Sequence, residues 1–265
     1  MAAKADPASF RSRVWRLPDG TLLFVRFTFG QQMQHWILLL AGASLALTGL
    51  AQKYSDTAWA SFVLKLLGGL ETTQVIHHFF ALCLIVLALY HALNSVYTRF
   101  VHNQPWKLAL GRQDLHDAAQ VVKYDLGVAQ NRPRFGRYTI GEKIVYWITL
   151  LSVAILIGTG LIMLFPTLTT EVVSGAVIPV ARAIHGGQAL VAVIFIVIVH
   201  LYLTVVRARN TSIFTGQMSD SQMRRDHPLE YEGVIASLPP AAGETKVADR
   251  TTPVDGEPQS QVRVR

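Results

Sequence analysis

The apolar residues divide this chain into four long uncharged segments that are separated by polar loops. The segments lie at 34–52, 75–96, 144–165 and 178–206. Each is close to the roughly 20 residues that an α-helix needs to cross the hydrocarbon core of a bilayer. The pattern predicts an all-α integral membrane protein built as a four-helix bundle, and it excludes a large soluble core.

The polar segments differ in length and character. The loop at 98–143 is long for a bundle connection, and the apolar spacing at 114–126 predicts a short amphipathic helix lying on the membrane. From about residue 236 the chain is rich in Pro, Thr, Gln and charge, which predicts disorder. The predicted divisions are an N-terminal arm at 1–33, the bundle at 34–206, a juxtamembrane segment at 207–235 and a tail at 236–265.

The distribution of Lys and Arg predicts the orientation of the bundle. The two loops on one side carry only Lys53, Lys65 and Arg182, whereas the middle loop alone carries eight cations. By the positive-inside rule, both termini and the middle loop are cytoplasmic. The basic N-terminal arm does not resemble a cleavable signal peptide, so we expect a multi-pass protein of the inner (plasma) membrane, surrounded by lipid.

Composition supports this reading and limits the chemistry. The chain has 265 residues, 51% hydrophobic and 15% charged. Its net charge of +7 is explained by the membrane-flanking loops, and no nucleic-acid partner is expected. Cys83 is the only cysteine, which excludes an internal disulfide, a four-cysteine iron-sulfur cluster and a CxxCH haem attachment site.

Ionisable residues are costly inside a bilayer, so histidines in the predicted spans indicate function. The first span opens with one, the second and fourth carry two each, and the third has none: His35, His77, His91, His185 and His200. His185 and His200 are fifteen residues apart, which on a straight helix is a rise of about 22 Å and a rotation of about 60°. They therefore lie near one face at two membrane depths, as two stacked haems require.

The alternating directions of four spans assign partners to these two residues. His77 lies level with His185 near the outer surface, while both His35 and His91 lie level with His200 near the inner one. Two axial imidazoles make a low-spin electron-transfer haem. We predict two b-type haems, with His35 or His91 as the partner of His200. If His91 is not a ligand, its expected role is a hydrogen bond to a propionate or a quinone.

Two neighbouring residues complete the predicted haem surroundings. Arg182 lies one helical turn before His185 at the outer surface, where we expect it to pair with a haem propionate; the alternative is a cation that only sets topology. His78 is rotated by about 100° from His77 and is expected to be structural.

The chain resembles the gamma (cytochrome b) subunit of membrane formate dehydrogenase and related bacterial dihaem cytochromes b over residues of about 20 to 232. The motifs that carry the resemblance are, in order, His35-Trp36, Thr48-Gly49, Ile76-His77-His78-Phe79-Phe80, Arg99-Phe100-Val101-His102-Asn103, Arg137-Tyr138-Thr139-Ile140-Gly141-Glu142-Lys143, Tyr146-Trp147, Ile184-His185, His200-Leu201-Tyr202, Gly216, His227-Pro228 and Tyr231. Each motif is short, and the ordered set is specific.

The resemblance implies haem ligands at His35, His77, His185 and His200, and so favours His35 over His91. It also implies a quinone pocket beside the inner haem, formed by His200 with Thr139, Gly141 and Glu142. Two positions at which the family has amides are Thr139 and Glu142 here, and the carboxylate of Glu142 is expected to handle a proton. The alternative for Glu142 is a first-turn acidic residue that favours the helix dipole.

These observations predict an electron-transfer subunit of a quinone-linked oxidoreductase complex. Quinone chemistry, with menaquinone or ubiquinone, is expected on the cytoplasmic side, and a separate redox subunit is expected outside because the outer loops are short. His91 and the long middle loop resemble a branch with multihaem cytochrome c partners; an iron-sulfur protein is the other candidate, and formate itself is not implied. The rival functions are a haem-free membrane anchor or assembly protein, and a proton or ion transporter that uses the histidines as relays.

Overall fold

A computed structural model describes residues 14–238, and four long helices dominate it. They are α1 (Phe29–Lys53), α3 (Leu70–Phe100), α5 (Ile140–Leu164) and α7 (Val177–Arg207), each long and apolar enough to cross a membrane. The predicted all-α membrane bundle is confirmed, and most helices extend several residues beyond the predicted spans. Residues 1–13 and most of the predicted tail, 239–265, lie outside the described residues.

Shorter elements occupy the loops and the two ends of the described chain. They are β1 (Val14–Arg16), β2 (Leu22–Val25), α2 (Ala58–Leu66), α4 (Arg112–Asp125), α6 (Pro166–Val172), α8 (Ser212–Thr215), β3 (Gln217–Ser219), α9 (Asp220–Asp226) and α10 (Pro228–Ser237). The last of these runs beyond the predicted tail boundary near residue 236.

Two of the membrane helices begin with the same local structure. At the start of α1, Thr28 Oγ1 accepts from the backbone of Gln31 at 3.3 Å, and Gln31 Oε1 accepts from the backbone of Thr28 at 3.0 Å. At the start of α5, Thr139 and Glu142 repeat this exchange at 3.2 Å and 2.8 Å. Each capping box satisfies two backbone N–H groups that the helix leaves unpaired.

The four long helices pack as two antiparallel pairs. The most extensive contacts are those of α1 with α3 and of α5 with α7, and α1 with α7 joins the pairs. By contrast, α3 and α5 barely touch. The space between the pairs is a cavity of about 3030 Å³, several times the roughly 300–1,000 Å³ of an ordinary ligand pocket. A bundle of this shape has room for large cofactors between its helices.

The arm and the juxtamembrane segment fold together at one end of the bundle. The strands form an antiparallel sheet in the order β1-β2-β3, with Leu23 opposite Ser219. A small core of Phe24, Met218, Met223 and Val234 lies beneath it. We call this end, with residues 14–28 and 208–238, the sheet end, and the opposite end, with residues 54–69 and 165–176, the loop end.

The predicted amphipathic helix of the middle loop is present as α4. Lys143 Nζ donates to Asp114 Oδ1 at 2.9 Å, and Trp147 Nε1 donates to the Leu108 carbonyl at 2.8 Å, so α5 holds this loop. Burial raises the pKa of Asp114, but the hydrogen bonds from Lys143 and from the Gly111 backbone outweigh it and leave the pKa below its usual value. The carboxylate therefore stays ionised for Lys143.

The fourth membrane helix, α7, departs from α-helical geometry in its C-terminal part. Its turns are π-helical at Phe195–His200 and Tyr202–Arg207. A π-helix turns less per residue than an α-helix, so the rotation expected between His185 and His200 on a straight α-helix does not hold in detail. Such π-turns are frequent at functional sites.

Candidate functional site

Two histidines meet across the cavity at the loop end. His77 on α3 and His185 on α7 both line the cavity, and their ring centroids are 6.3 Å apart. Both side chains are mostly enclosed by neighbouring helices. The sequence predicted that these two residues lie at one depth, and the structure brings their rings together at an interplanar angle of 67°.

Threonine hydroxyls determine which nitrogen of each ring is free. Thr48 Oγ1 donates to the Ser44 carbonyl at 2.7 Å and lies 2.9 Å from His77 Nδ1. Because a hydroxyl has one hydrogen, Thr48 must accept from Nδ1–H, and Nε2 of the neutral ring then keeps its lone pair.

The same arrangement holds the second ring of this pair. Thr159 Oγ1 donates to the Ile155 carbonyl at 2.7 Å and accepts from His185 Nδ1 at 3.0 Å. Orienting hydrogen bonds of this kind are typical of histidines that bind a metal through the other nitrogen.

Glycines allow these rings to lie close to the neighbouring helices. A Cβ atom added to Gly49 would lie 3.1 Å from His77 Cε1, and one added to Gly160 would lie 3.4 Å from His185 Cε1. A Cβ atom at position 49 would require the His77 ring to shift, whereas one at position 160 would make an ordinary van der Waals contact with His185. Gly49 therefore helps to set the position of the His77 ring.

A second pair lies in the cavity at the sheet end. The ring centroids of His35 on α1 and His200 on α7 are 6.5 Å apart, and Phe214 packs edge-on against His35 at 5.2 Å. Within residues 14–238, Nδ1 of His35 and Nδ1 of His200 are buried without a hydrogen-bond partner. Buried polar nitrogens of this kind need an explanation, such as a bound group or water.

The spacing of both pairs would suit two imidazole ligands on one haem iron, which the two rings of each pair would hold between them. In the described part of the chain, no three His, Cys, Asp or Glu side chains group together as a site for a bare metal ion. Paired histidines suit a metal whose remaining ligands come from a porphyrin.

The alternative ligand His91 makes two hydrogen bonds of its own. Its Nδ1 lies 2.9 Å from Gln34 Oε1, and its Nε2 lies 3.0 Å from the Tyr146 hydroxyl. Both nitrogens are therefore engaged, and His91 links α1, α3 and α5 at the depth of His35. This geometry favours His35 as the partner of His200. His78, expected to be structural, is exposed and also lines the cavity.

Two cations lie near the loop-end pair. Arg182 is exposed three residues before His185 and lines the cavity. Lys53, at the end of α1, also lines the cavity, and its Nζ would be 3.2 Å from a Cβ added to Gly186. The sequence suggested a counter-ion role only for Arg182, because the contact between the ends of α1 and α7 is not local in the chain.

At the sheet end, Thr139, Gly141 and Glu142 line the same cavity as His200. Glu142 Oε2 accepts from Thr139 in the capping box, and its Oε1 accepts from Arg26 at 3.3 Å. The carboxylate thus caps α5, in agreement with the alternative that Glu142 is an acidic residue of the first helical turn. It also pairs with Arg26, a cation of the N-terminal arm. Three of the four residues of the expected pocket are therefore neighbours in the sequence at the start of α5, and the fourth, His200, lines the same cavity.

Arg26 is the centre of an ion-pair network that the sequence did not reveal. Its side chain is fully buried, and it donates to Glu230 Oε2 at 3.0 Å as well as to Glu142. Arg137 donates to Glu230 Oε1 at 3.0 Å and to the Arg26 carbonyl. His227, also buried, lies 4.0 Å from Glu142. Arg26 resembled an ordinary membrane-flanking cation, and only the His227-Pro228 motif marked this region.

A membrane bundle with facing histidine pairs inside it defines a class of protein. The four apolar helices make the chain a multi-pass inner-membrane protein, and its histidine pairs make it similar to a membrane cytochrome b.

Comparison with known proteins agrees with this class. Residues 105–215 match the family model of prokaryotic cytochrome b561. The formate dehydrogenase cytochrome b556(fdo) subunit of Escherichia coli K12 is 24% identical over 79% of this chain and 92% of its own length. The nitrate-inducible b556(Fdn) subunit is 22% identical over 80% and 92%, and the cytochrome b556 subunit of Haemophilus influenzae is 26% identical over 81% and 85%. The resemblance seen in the sequence is confirmed.

Proposed function

We propose that the chain holds two b-type haems, one between His77 and His185 and one between His35 and His200, and passes electrons between a membrane quinone and a partner redox subunit. The observation that carries the proposal is the pair of ring spacings, 6.3 Å and 6.5 Å, at two depths of one cavity. Bound there, a haem with two imidazoles supplies a one-electron carrier with no open coordination position.

The residues of this chain would act on such a cofactor in different ways. The threonine partners of His77 and His185 hold each ring in the tautomer that leaves Nε2 free. The engaged nitrogens of His91 leave it a positioning role between three helices. The apolar walls of the cavity keep water from the electron path.

The proposed quinone site lies at the sheet end, around Thr139, Gly141, Glu142 and His200. Quinone chemistry couples two electrons to two protons, so it needs a protonatable group beside the ring. Glu142 has that chemistry and lines the cavity. The positive-inside pattern assigns this end to the cytoplasm and the loop end to the side where the partner docks.

A comparison within the chain separates capping from proton transfer at Glu142. The box at α1 uses Gln31 where the box at α5 uses Glu142, so an amide is sufficient for capping. The negative charge at position 142 is therefore not needed for the helix start. This negative charge can instead pair with Arg26 and bind a proton.

We expect Glu142→Gln to keep both haems and the helix cap while slowing haem reduction by a quinol analogue by about 10²-fold or more. The measurement is stopped-flow absorbance of the purified protein, with the wild type showing a b-type alpha band and about two haems per chain. Glu232→Gln, the same exchange at an exposed carboxylate outside the cavity, is the matched control and should leave the rate unchanged.

Two outcomes would count against this function. Equal rates for Glu142→Gln and wild type across about pH 6–9 would remove the quinone role of this carboxylate. A wild-type preparation without a b-type spectrum would point instead to a haem-free anchor or a transporter.

Arg182 is proposed to pair with a propionate of the haem at the loop end. Because a nearby positive charge favours the reduced haem, Arg182→Gln should lower the potential of that haem. The exposed position limits the interaction to about 0.2–1 kcal/mol, which corresponds to about 10–40 mV. Redox titration measures this shift, and Lys65→Gln, a change at the same end but outside the cavity, is the control. Equal haem potentials for the two variants would mean that Arg182 does not pair with the propionate and only sets the topology of the membrane helices.

The partner is proposed to be a multihaem cytochrome c or an iron-sulfur protein. Relatives are subunits of formate dehydrogenases, and their identity with this chain is 22–26%. His91 and the long middle loop set this chain apart from those subunits, so the proposal does not include formate as the substrate of the complex.

A further inference from the structure

His227 is enclosed at the sheet end in a way that determines its protonation pattern. The residue is 1% exposed and lies between α9 and α10. Its Nδ1 is 2.8 Å from the Gly136 carbonyl, which can only accept a hydrogen bond. Nδ1 must therefore carry the hydrogen, and in the neutral ring Nε2 keeps a lone pair.

That lone pair faces the carboxylate of Glu142. His227 Nε2 and Glu142 Oε2 are 4.0 Å apart. A neutral imidazole and an ionised carboxylate would meet there as two acceptors, with no hydrogen between them. One added proton on either atom converts this contact into a hydrogen bond after an approach of about 1 Å. The pair of His227 and Glu142 can therefore take up one proton beyond those present when the imidazole is neutral and the carboxylate is ionised.

Burial keeps the resting ring of His227 neutral. Burial and the cation of Arg26 lower the pKa of His227, while the carboxylates of Glu142 and Glu230 and the Gly136 carbonyl oppose this effect without cancelling it. Arg137 is a further charged neighbour and donates to Glu230. A lowered pKa leaves Nε2 unprotonated near neutral pH, so its lone pair is vacant in the resting state.

We infer that His227 is the second proton site of quinone turnover and exchanges its proton with Glu142 through Nε2. The inference rests on the proposed quinone function. Quinol oxidation releases two electrons and two protons, and the carboxylate of Glu142 can hold only one of these protons. The second of the two protons needs a second group. This group must lie within reach of Glu142, but it need not contact the quinone.

The proton steps balance as follows. The first quinol O–H bond breaks, and its proton forms an O–H bond on Glu142. That proton then moves to His227 Nε2, which restores the carboxylate and makes an imidazolium stabilised by Glu142 and Glu230. The second quinol proton is then taken up by Glu142, and the two electrons leave singly through the haem at this end. The reverse order delivers two protons for quinone reduction.

The alternative is that His227 only anchors the start of α10 through Gly136. The variant His227→Asn separates the two roles, because the asparagine side-chain amide can donate to the Gly136 carbonyl from near the position of Nδ1. The variant keeps the structural bond and removes the titratable Nε2. His116→Asn is the matched control, since His116 lies on α4 with a side chain that is 71% exposed.

We expect His227→Asn to retain both haems and to reduce them with a quinol analogue about tenfold more slowly than the wild type does. The dependence of the rate on pH should flatten below the range where a histidine ordinarily titrates, because burial and Arg26 lower the pKa of His227. His116→Asn should match the wild type in both respects. Full haem content with wild-type rates and pH profile in His227→Asn would overturn the inference.

A measurement on the unsubstituted protein keeps the inference testable if His227→Asn does not assemble. Infrared difference spectra with ring-labelled histidine should show an imidazolium band after quinol addition, and its absence would refute the proton site. The variants also separate the two proposals. Slow Glu142→Gln with unimpaired His227→Asn rejects only the role of His227, whereas unimpaired Glu142→Gln rejects the role of Glu142 in quinone turnover.

Discussion

Replacing His185 by Ala is expected to leave one low-spin haem of the two proposed for the wild type, and His200→Ala should remove the other haem. The reason is that each of these residues is proposed to supply one of the two imidazole ligands of its haem. At the loop end, both rings are held by threonines with Nε2 free. Each variant should therefore lose about half of the haem, as measured by the pyridine haemochrome assay.

A matched control lies next to one of the ligands. His78 follows His77 directly but is exposed and belongs to neither of the two histidine pairs, so His78→Ala should keep both haems. If His185→Ala and His200→Ala both retain two low-spin haems, the ligand assignment is wrong.

Electron paramagnetic resonance decides between the two candidate ligands at the sheet end, His35 and His91. His35→Ala should abolish the low-spin signal of one haem in low-temperature electron paramagnetic resonance. His91→Ala should keep that signal, because the ring of His91 already contacts Gln34 and Tyr146. The opposite result would make His91 the partner of His200.

The second large effect is expected from Glu230→Ala, which should lower the free energy of unfolding by about 3–5 kcal/mol. Glu230 is the close partner of Arg26, whose side chain is fully buried, and it also binds Arg137. Without Glu230, two buried or half-buried guanidinium groups lose their carboxylate. Glu142 still pairs with Arg26 at 3.3 Å, which places the expected loss near the lower end of this range.

The neighbouring Glu232 provides the control for this prediction. It pairs with Arg134, but the two side chains are 60% and 56% exposed, so Glu232→Ala should cost at most about 1 kcal/mol. Thermal unfolding of the purified protein in detergent measures both variants. A melting temperature for Glu230→Ala as high as that for Glu232→Ala would show that the buried network does not stabilise the sheet end.

Several features of this protein follow from the sequence because they are local or periodic. Four apolar segments set the four helices, since a helix must be apolar over about 20 residues to cross a bilayer. The Thr28-x-x-Gln31 and Thr139-x-x-Glu142 patterns set two helix starts. Alternating helix direction is enough to predict that His77 lies level with His185, because depth depends only on distance along each helix.

Other features required the tertiary structure, because they depend on residues that are far apart in the chain. The choice between His35 and His91 rests on hydrogen bonds that three helices provide, and spacing along α3 carries no information about them. The π-helical turns around His200 change the rotation that an α-helix predicts. The arm and the juxtamembrane segment were predicted as separate polar stretches, yet they form one sheet.

The ion-pair network at the sheet end is the clearest example of a feature that the sequence alone could not predict. Arg26 and Glu230 are 204 residues apart, and each alone reads as a surface charge. The sequence by itself determined the membrane bundle, the depths of its histidines and the candidate chemistry, because these follow from composition and period. Only the tertiary structure decided which nitrogens are free and which charges are buried together, because hydrogen bonds and ion pairs depend on distances across the fold.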